Sequence, residues 1–164
     1  MNKEVINEFV YDENAINEVM AFWCKKEFKK LYISSFILLI IGTAYFIAFK
    51  NSLGVVAVLL SIVSFLSSKF AMRKNIKAEK ERALLLNKEE YPIFNITIND
   101  KITMKSNKTE RSVPFESVKG FDETDNFIVV FLQGKMTIPL KKDSFIKGSA
   151  DECIEILNSN IIKK

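Results

Sequence analysis

Two uncharged apolar runs follow one another between Leu31 and Ser68, and they leave the chain few ways to fold. Leu31 to Phe49 reads LYISSFILLIIGTAYFIAF, and Leu53 to Ser68 reads LGVVAVLLSIVSFLSS. A helix rises about 1.5 Å per residue, so roughly 20 apolar residues cross a hydrocarbon core. The first run has that length. The second reaches it if Lys69 snorkels and Phe70 to Met72 extend the span. Helical hairpins of soluble cores rarely lack charge over such a stretch. The expectation is a two-helix transmembrane hairpin over residues 31–72, with a tight turn at Lys50, Asn51 and Ser52.

Charge gives the hairpin a direction. Lys25, Lys26, Lys29 and Lys30 precede the first run, and Lys69, Arg73, Lys74 and Lys77 follow the second. Lys50 is the one cation between the runs. Cations bias flanking segments to the cytoplasmic side, so both termini are expected inside, in a multi-pass protein of the bacterial plasma membrane. The eight flanking cations are candidate contacts for anionic lipid. The first run follows an acidic N-terminus (Glu4, Glu8, Asp12, Glu13), and no small-residue cleavage site succeeds it; an uncleaved span is expected rather than a signal peptide.

The spans also carry a packing signal. Gly54, Ala57, Ser61, Ser64 and Ser68 recur in steps of three and four, on one helix face. Ser35 and Gly42 on the first span are the facing groove. Small residues let backbones approach where lipid supplies no hydrophobic drive between helices. An intramolecular antiparallel pair is expected; a homodimer seam on the same stripe is the alternative.

On either side of the hairpin the chain reads as α+β. VINEFVY (Val5 to Tyr11) is a short strand that should join a sheet formed by the second half. Asp12 or Asn14 then caps an amphipathic helix with Ile16, Val19, Met20, Trp23 and Cys24 on one face; that face either lies at the membrane surface, with Trp23 near the headgroups, or packs onto the soluble domain. Residues 1–30 form this N-terminal segment. Residues 73–90 read as a helical linker, with Lys69 to Asn87 continuing the second span until Pro92 ends it. From Ile93 the period becomes two. Phe94, Ile96 and Ile98, then Ile102 and Met104, form a hairpin around Asn99 and Asp100, and Asn107 to Glu110 turn the chain again. Pro114 marks an edge strand or bulge, Gly120 breaks the run, and Asp122 to Asn126 form an acidic loop. FIVVFL (Phe127 to Leu132) is apolar on both faces, as a central strand is. Gln133 and Gly134 turn it, and Met136, Ile138 and Leu140 point inward opposite Lys135 and Thr137. Ser149 caps a last helix with an apolar face of Ala150, Cys153, Ile154, Leu157 and Ile161. Residues 91–164 are thus expected to be a small curved antiparallel sheet closed by a C-terminal helix.

The run Val113 to Thr124 (VPFESVKGFDET), FIVVF from Phe127, and TIPLKKDSF from Thr137 to Phe145 resemble the C-terminal domain of YcxB-like bacterial membrane proteins. Ile138, Pro139 and Phe145 match an I-P-K-x-x-F-like element of that family. Leu140 stands where the basic residue often falls, and Lys141 is shifted by one. The layout of two spans and a small domain agrees too, so the resemblance extends over nearly the whole chain, most specifically residues 113–145. It implies a pleckstrin-homology-like (PH-like) fold and no catalytic residues. Pro139 would end a ladder, and Phe145 would fill the sheet's open mouth.

Chemistry-bearing residues are few. With no histidine, the commonest general base and metal ligand is missing. Cys24 and Cys153 are expected to be free thiols; Lys25 and Lys26 could lower the Cys24 pKa. Asp122, Glu123 and Asp125 lack the glycine and distant glutamate of a calcium loop. Lys101, Lys105, Lys108, Arg111, Lys119, Lys135, Lys141 and Lys142 read as the solvated side of the sheet, without the aromatic series of a nucleic-acid platform. The expectation is neither an enzyme nor a nucleic-acid binder and needs no cofactor. It is a membrane-anchored binding module, held by membrane lipid, presenting a cytoplasmic domain to a protein, peptide or lipid headgroup. The alternative is a self-protection role, since small membrane proteins of this kind resemble some bacteriocin immunity proteins. A structural partner of another membrane protein is a third reading.

Overall fold

The structure, a computed structural model, describes residues 4–86, 90–106, 109–134 and 136–161. Asn87, Asn107, Lys108 and Lys135, assigned above to a helix end, turns and strand faces, lie outside the described residues. The element order is β1 (Val5–Val10), α1 (Glu13–Phe49), α2 (Ser52–Leu86), β2 (Ile93–Ile98), β3 (Lys101–Ser106), β4 (Thr109–Pro114), a 3₁₀ turn (Phe115–Ser117), β5 (Val118–Glu123), β6 (Phe127–Leu132), β7 (Thr137–Lys141), β8 (Phe145–Lys147) and α3 (Ala150–Ile161). The chain divides into two units, the first made of Met1–Val19 and Lys80–Lys164, the second of Met20–Glu79.

The first unit holds two antiparallel sheets, ordered β4-β3-β2-β1-β8 and β5-β6-β7. One curved sheet is the sequence expectation, and two is the observation. β1 does join, in an interior position, pairing with β2 from Val5↔Ile98 to Val10↔Ile93 and with β8 on its other side. Period-two alternation puts Val5, Asn7 and Phe9 on the inner face with Ile96 and Ile98. Phe9 carries the core across to the second sheet, its ring edge-on to Phe94 and to Phe127 of β6. β6 is central, and Phe127 to Val130 are all buried. α3 packs against β5 and the 3₁₀ turn. Its buried residues are Cys153, Ile156 and Leu157; Ile154 is only half-buried.

Polar groups fix the ends of these elements. Asp12 Oδ1 accepts from Ala15 N at 2.9 Å and starts α1; Ser149 Oγ accepts from Glu152 N at 3.2 Å and starts α3. Gly148 precedes that cap at φ +76°, and a Cβ there would lie 2.3 Å from Val5 Cγ1, so a side chain is excluded twice over. The first turns of α1 belong to this unit through buried Ala15, Ile16 and Val19. The end of α2 belongs to it through Ala83, and Lys80 Nζ lies 2.7 Å from Glu13 Oε1.

Asn7 makes the least expected connection. It is fully buried on β1, its Nδ2 donates to Lys141 O at 2.7 Å, and its Oδ1 accepts from Lys141 N at 3.0 Å. One amide side chain thereby serves as the missing strand beside β7.

Several expectations need correction. Gly120 does not break a run; β5 continues to Glu123 with a bulge between Val118 and Gly120. Asp122 and Glu123 are therefore strand residues, and the turn is confined to Thr124 to Asn126. Met136 is 42% exposed and precedes β7, because the turn after β6 has not yet brought the chain back to the core. Pro139 does not end a ladder: β7 pairs with β6 through Pro139 opposite Val129 and on to Lys141. An edge strand tolerates the missing donor. Pro114 closes β4, likewise an edge. Phe145 is half-buried in β8, opposite Asn7.

The second unit is the paired helices. The amphipathic N-terminal helix and the first span are one element of 37 residues, and the second span and the helical linker are one of 35. The turn occupies Lys50 and Asn51, with Lys50 at φ +48°. Asn51 caps α2, its Oδ1 accepting from Leu53 N at 3.0 Å.

Asn7→Leu removes both side-chain partners of a buried strand edge while keeping the volume. An unmet buried backbone group costs roughly 1–3 kcal/mol. The expected outcome is a clear loss of stability in chemical denaturation and faster amide exchange at Lys141 than at the β6–β7 ladder.

Candidate functional site

The surfaces that could serve a function are the helix pair with its cations and the face of the sheet unit. In the helix pair, Ser35, Gly42, Gly54, Ser61 and Ser68 are buried and Ala57 and Ser64 half-buried, so the structure gathers the small residues into one seam. A Cβ on Gly42 would sit 2.9 Å from Ala57 Cβ, and one on Gly54 would sit 2.7 Å from Phe46 N. Ser61 Oγ donates to Ser35 O across the seam at 2.8 Å. Ser68 bonds back to Ser64 O within its own helix, also at 2.8 Å. Toward the far end of the pair, Asn75 Nδ2 lies 3.9 Å from Cys24 Sγ.

These contacts set the register. Ser35 faces Ser61, Gly42 faces Gly54 and Ala57, Tyr32 meets Phe65 at 5.7 Å, and Cys24 faces Asn75. In an antiparallel pair with that register, Leu31 is level with the stretch around Leu66 to Ser68. The two apolar runs therefore share the boundary at Leu31, and the first continues to Phe49 at the turn, a few residues past the level of Leu53. Their outward side chains are exposed: Ile47 is 71%, Phe36 63% and Leu53 63% accessible. Both helices are long and apolar enough to cross a membrane.

The cations cluster at one end of this zone. Lys25, Lys26, Lys29, Lys30, Lys69, Arg73, Lys74 and Lys77 are all exposed. Lys69 does not reach away from the apolar zone as snorkelling requires. Its Nζ lies 5.6 Å from the centre of the Phe65 ring, one turn back along the helix, where the ring face attracts a cation.

In the sheet unit the polar groups tie elements together. Glu18 on α1 accepts from Thr124 Oγ1, from Asn126 N at 2.9 Å and from Asn126 Nδ2 at 2.9 Å. Lys142 donates to Thr124 O at 2.8 Å and pairs with Glu123 at 2.9 Å. Burial pulls the Glu18 carboxyl upward, but the bonds from Thr124 and Asn126, with Lys142 nearby, outweigh it and hold the group below the usual carboxylate range. The sequence gives no sign of this knot, because Glu18 is more than 100 residues from its other members. It also accounts for part of the acidic stretch: Glu123 faces Lys142, and Asp125 is solvated in the turn.

The remaining candidate residues disperse. Lys101 and Lys105 lie on β3, Arg111 on β4, Lys119 on β5 and Lys141 at the end of β7. Lys105 pairs with Glu110 and Lys141 with Asp143, each at 3.4 Å. Both thiols are free and buried. The expected lowering of the Cys24 pKa is reversed: burial pushes the thiol up, Asn75 only partly offsets this, and Glu27 adds to it. Burial pushes Cys153 up to about 12.

Residues 99–157 match the family model for YcxB-like protein. The chain carries a YcxB-like domain. The match begins at the β2–β3 turn and runs into α3, so it does not reach the hairpin, and it leaves out β1 and β2, which complete the larger sheet around the YcxB-like segment. Neither a curated relative nor a solved structure matches the chain. Within the YcxB-like domain, Ile138 and Pro139 are buried in β7 and serve packing.

Two outcomes follow. Gly54→Val drives a side chain into the Phe46 backbone and is expected to loosen the helix pair much more than Ser61→Ala, whose lost bond is worth about 0.6 kcal/mol in a membrane setting; the order of denaturation midpoints in detergent checks this. Glu18→Gln is expected to lower stability near neutral pH and to converge with the parent as acid protonates Glu18. A carboxyl held below its unfolded value stabilises above that value and loses the contribution as pH falls through the folded one. Unfolding curves of both forms across pH 3 to 7, about the carboxylate range, test it.

Proposed function

We propose that this protein is a non-catalytic, membrane-anchored binding module of the bacterial plasma membrane. The apolar zone of α1 and α2 crosses the bilayer, the Lys50 turn lies outside, and both termini lie in the cytoplasm with the YcxB-like domain. The observation that carries this reading is the shared register of the two apolar runs. The first, from Leu31 to Phe49, measures about 28 Å, close to a hydrocarbon core, with exposed aliphatic side chains all along, eight cations at one end and Lys50 alone at the other. Tyr32 with Phe65 and Tyr45 with Phe49 sit near the two boundaries, where aromatic rings are favoured. Trp23 is eight residues, about 12 Å, beyond Leu31, and so lies past the headgroups rather than among them.

Two antiparallel sheets and a C-terminal helix support reading the sheet unit as PH-like, with the hairpin inserted between its first two strands. We take its ligand to be a protein or peptide. Val10 and Ile93 stand opposite each other in the ladder, about half exposed, and offer such a partner an apolar foothold on the outer sheet face.

In intact cells, Lys50→Cys is expected to react with a membrane-impermeant maleimide, and Asn158→Cys only after permeabilisation. The chain is expected to resist alkaline carbonate extraction. A reversed labelling pattern or release by carbonate overturns the membrane reading. A photo-crosslinker at Ile93 is expected to give a discrete adduct that Val10→Glu abolishes; no adduct in the native membrane removes the partner face.

A further inference from the structure

We infer that the cations beside the apolar zone form one two-level binding surface for anionic phospholipid, built jointly by α1 and α2. The inference rests on the membrane reading above and adds a lipid class and a residue assignment to it. The helix register carries it. Cys24 faces Asn75, and Tyr32 meets Phe65, so Lys29 and Lys30 are level with Lys69, while Lys25 is level with Arg73 and Lys74. Cations far apart in sequence thus share two heights about 6 Å apart, one helical turn.

Charge counting points the same way. From Met20 to Ala78 the chain has a single carboxylate, Glu27, against eight cations in this belt. Lys25 and Lys29, and Lys69 and Arg73, are stacked four residues apart along their helices. Like charges at that spacing oppose helix formation, and a counter-charge supplied from outside the chain relieves the opposition. A phosphodiester headgroup has the required charge at the required height. The headgroup layer adds roughly 5–7 Å beyond the hydrocarbon on each side. Lys29 and Lys30, adjoining the apolar run, fall inside that layer and touch phosphate, and Lys69, its Nζ over the Phe65 ring, meets the layer at its inner boundary. Lys25, Arg73 and Lys74 fall at its aqueous rim, within a Debye length of the surface but open to salt.

The two levels therefore differ in salt response. The full-length protein is reconstituted in phosphatidylcholine vesicles containing spin-labelled phosphatidylglycerol or phosphatidylcholine, and the selectivity of the motionally restricted lipid is measured. The parent protein is expected to select phosphatidylglycerol. K29Q/K30Q/K69Q is expected to lose most of that selectivity, roughly five-fold or more, at low salt and at about 0.5 M salt alike. K25Q/R73Q/K74Q is expected to lose selectivity at low salt and to match the parent at about 0.5 M. Absence of selectivity in the parent overturns the inference, as does selectivity surviving all six substitutions or an identical salt response of the two triples. Carbonate extraction of the same vesicles separates the failures. A retained chain without selectivity refutes the lipid surface alone, and a released chain refutes the membrane reading beneath it.

Discussion

The ladder between β1 and β2 is the constraint on which the architecture depends. It joins Val5–Val10 to Ile93–Ile98, two strands with the whole helical hairpin between them in sequence. A chain that leaves the sheet at Val10 and must re-enter beside it at Ile93 has to turn round once. That requirement is met by two helices of nearly equal length, 37 and 35 residues, and a turn of two residues. Closing so long a connection costs chain entropy, but the increment grows only slowly with length. The ladder and the aromatic cluster of Phe9, Tyr11, Phe94 and Phe127 offset it. The YcxB-like segment begins after β2, so the strands that close the larger sheet come from outside it.

The two sheets meet through polar groups as well as apolar ones. Pro139 cannot donate to a ladder, which suits β7 to an edge, and an edge in the interior leaves backbone groups that need partners. Asn7 answers at Lys141, where its side chain donates and accepts at once. Glu18 does the equivalent at the β5–β6 turn, holding Asn126 by backbone and side chain together. Both residues stand on the N-terminal side of the hairpin, and both act on strands of the smaller sheet. The first 19 residues thus supply much of what orders a domain whose family match begins at residue 99.

The helix pair obeys different physics. Its outward surface is largely apolar between Leu31 and Ser68, so helix contact there gains little from excluding solvent if lipid surrounds it. Close backbone approach does the work instead. Gly42 and Gly54 leave no room for a Cβ, and Ser61 reaches the Ser35 carbonyl across the gap. The same seam fixes the register, and the register brings separate lysine clusters to common heights.

What the sequence by itself determined is whatever depends on local periodicity and local sterics. The two apolar runs, the turn at Lys50, the small-residue face, the caps at Asp12 and Ser149, the β2–β3 hairpin and the central strand FIVVFL could all be read from neighbours within a few residues. Tertiary structure alone decided whatever depends on which distant groups must satisfy one another. The division into two sheets, the burial of Asn7 against Lys141 and the capture of the Thr124–Asn126 turn by Glu18 are of this kind. So are the continuation of β5 through Gly120, the exposure of Met136 and the upward shift of Cys24. Side-chain pattern tells which face of an element is apolar; it does not tell which backbone edge that face will meet, because unmet hydrogen-bonding groups find their partners only when the chain has closed.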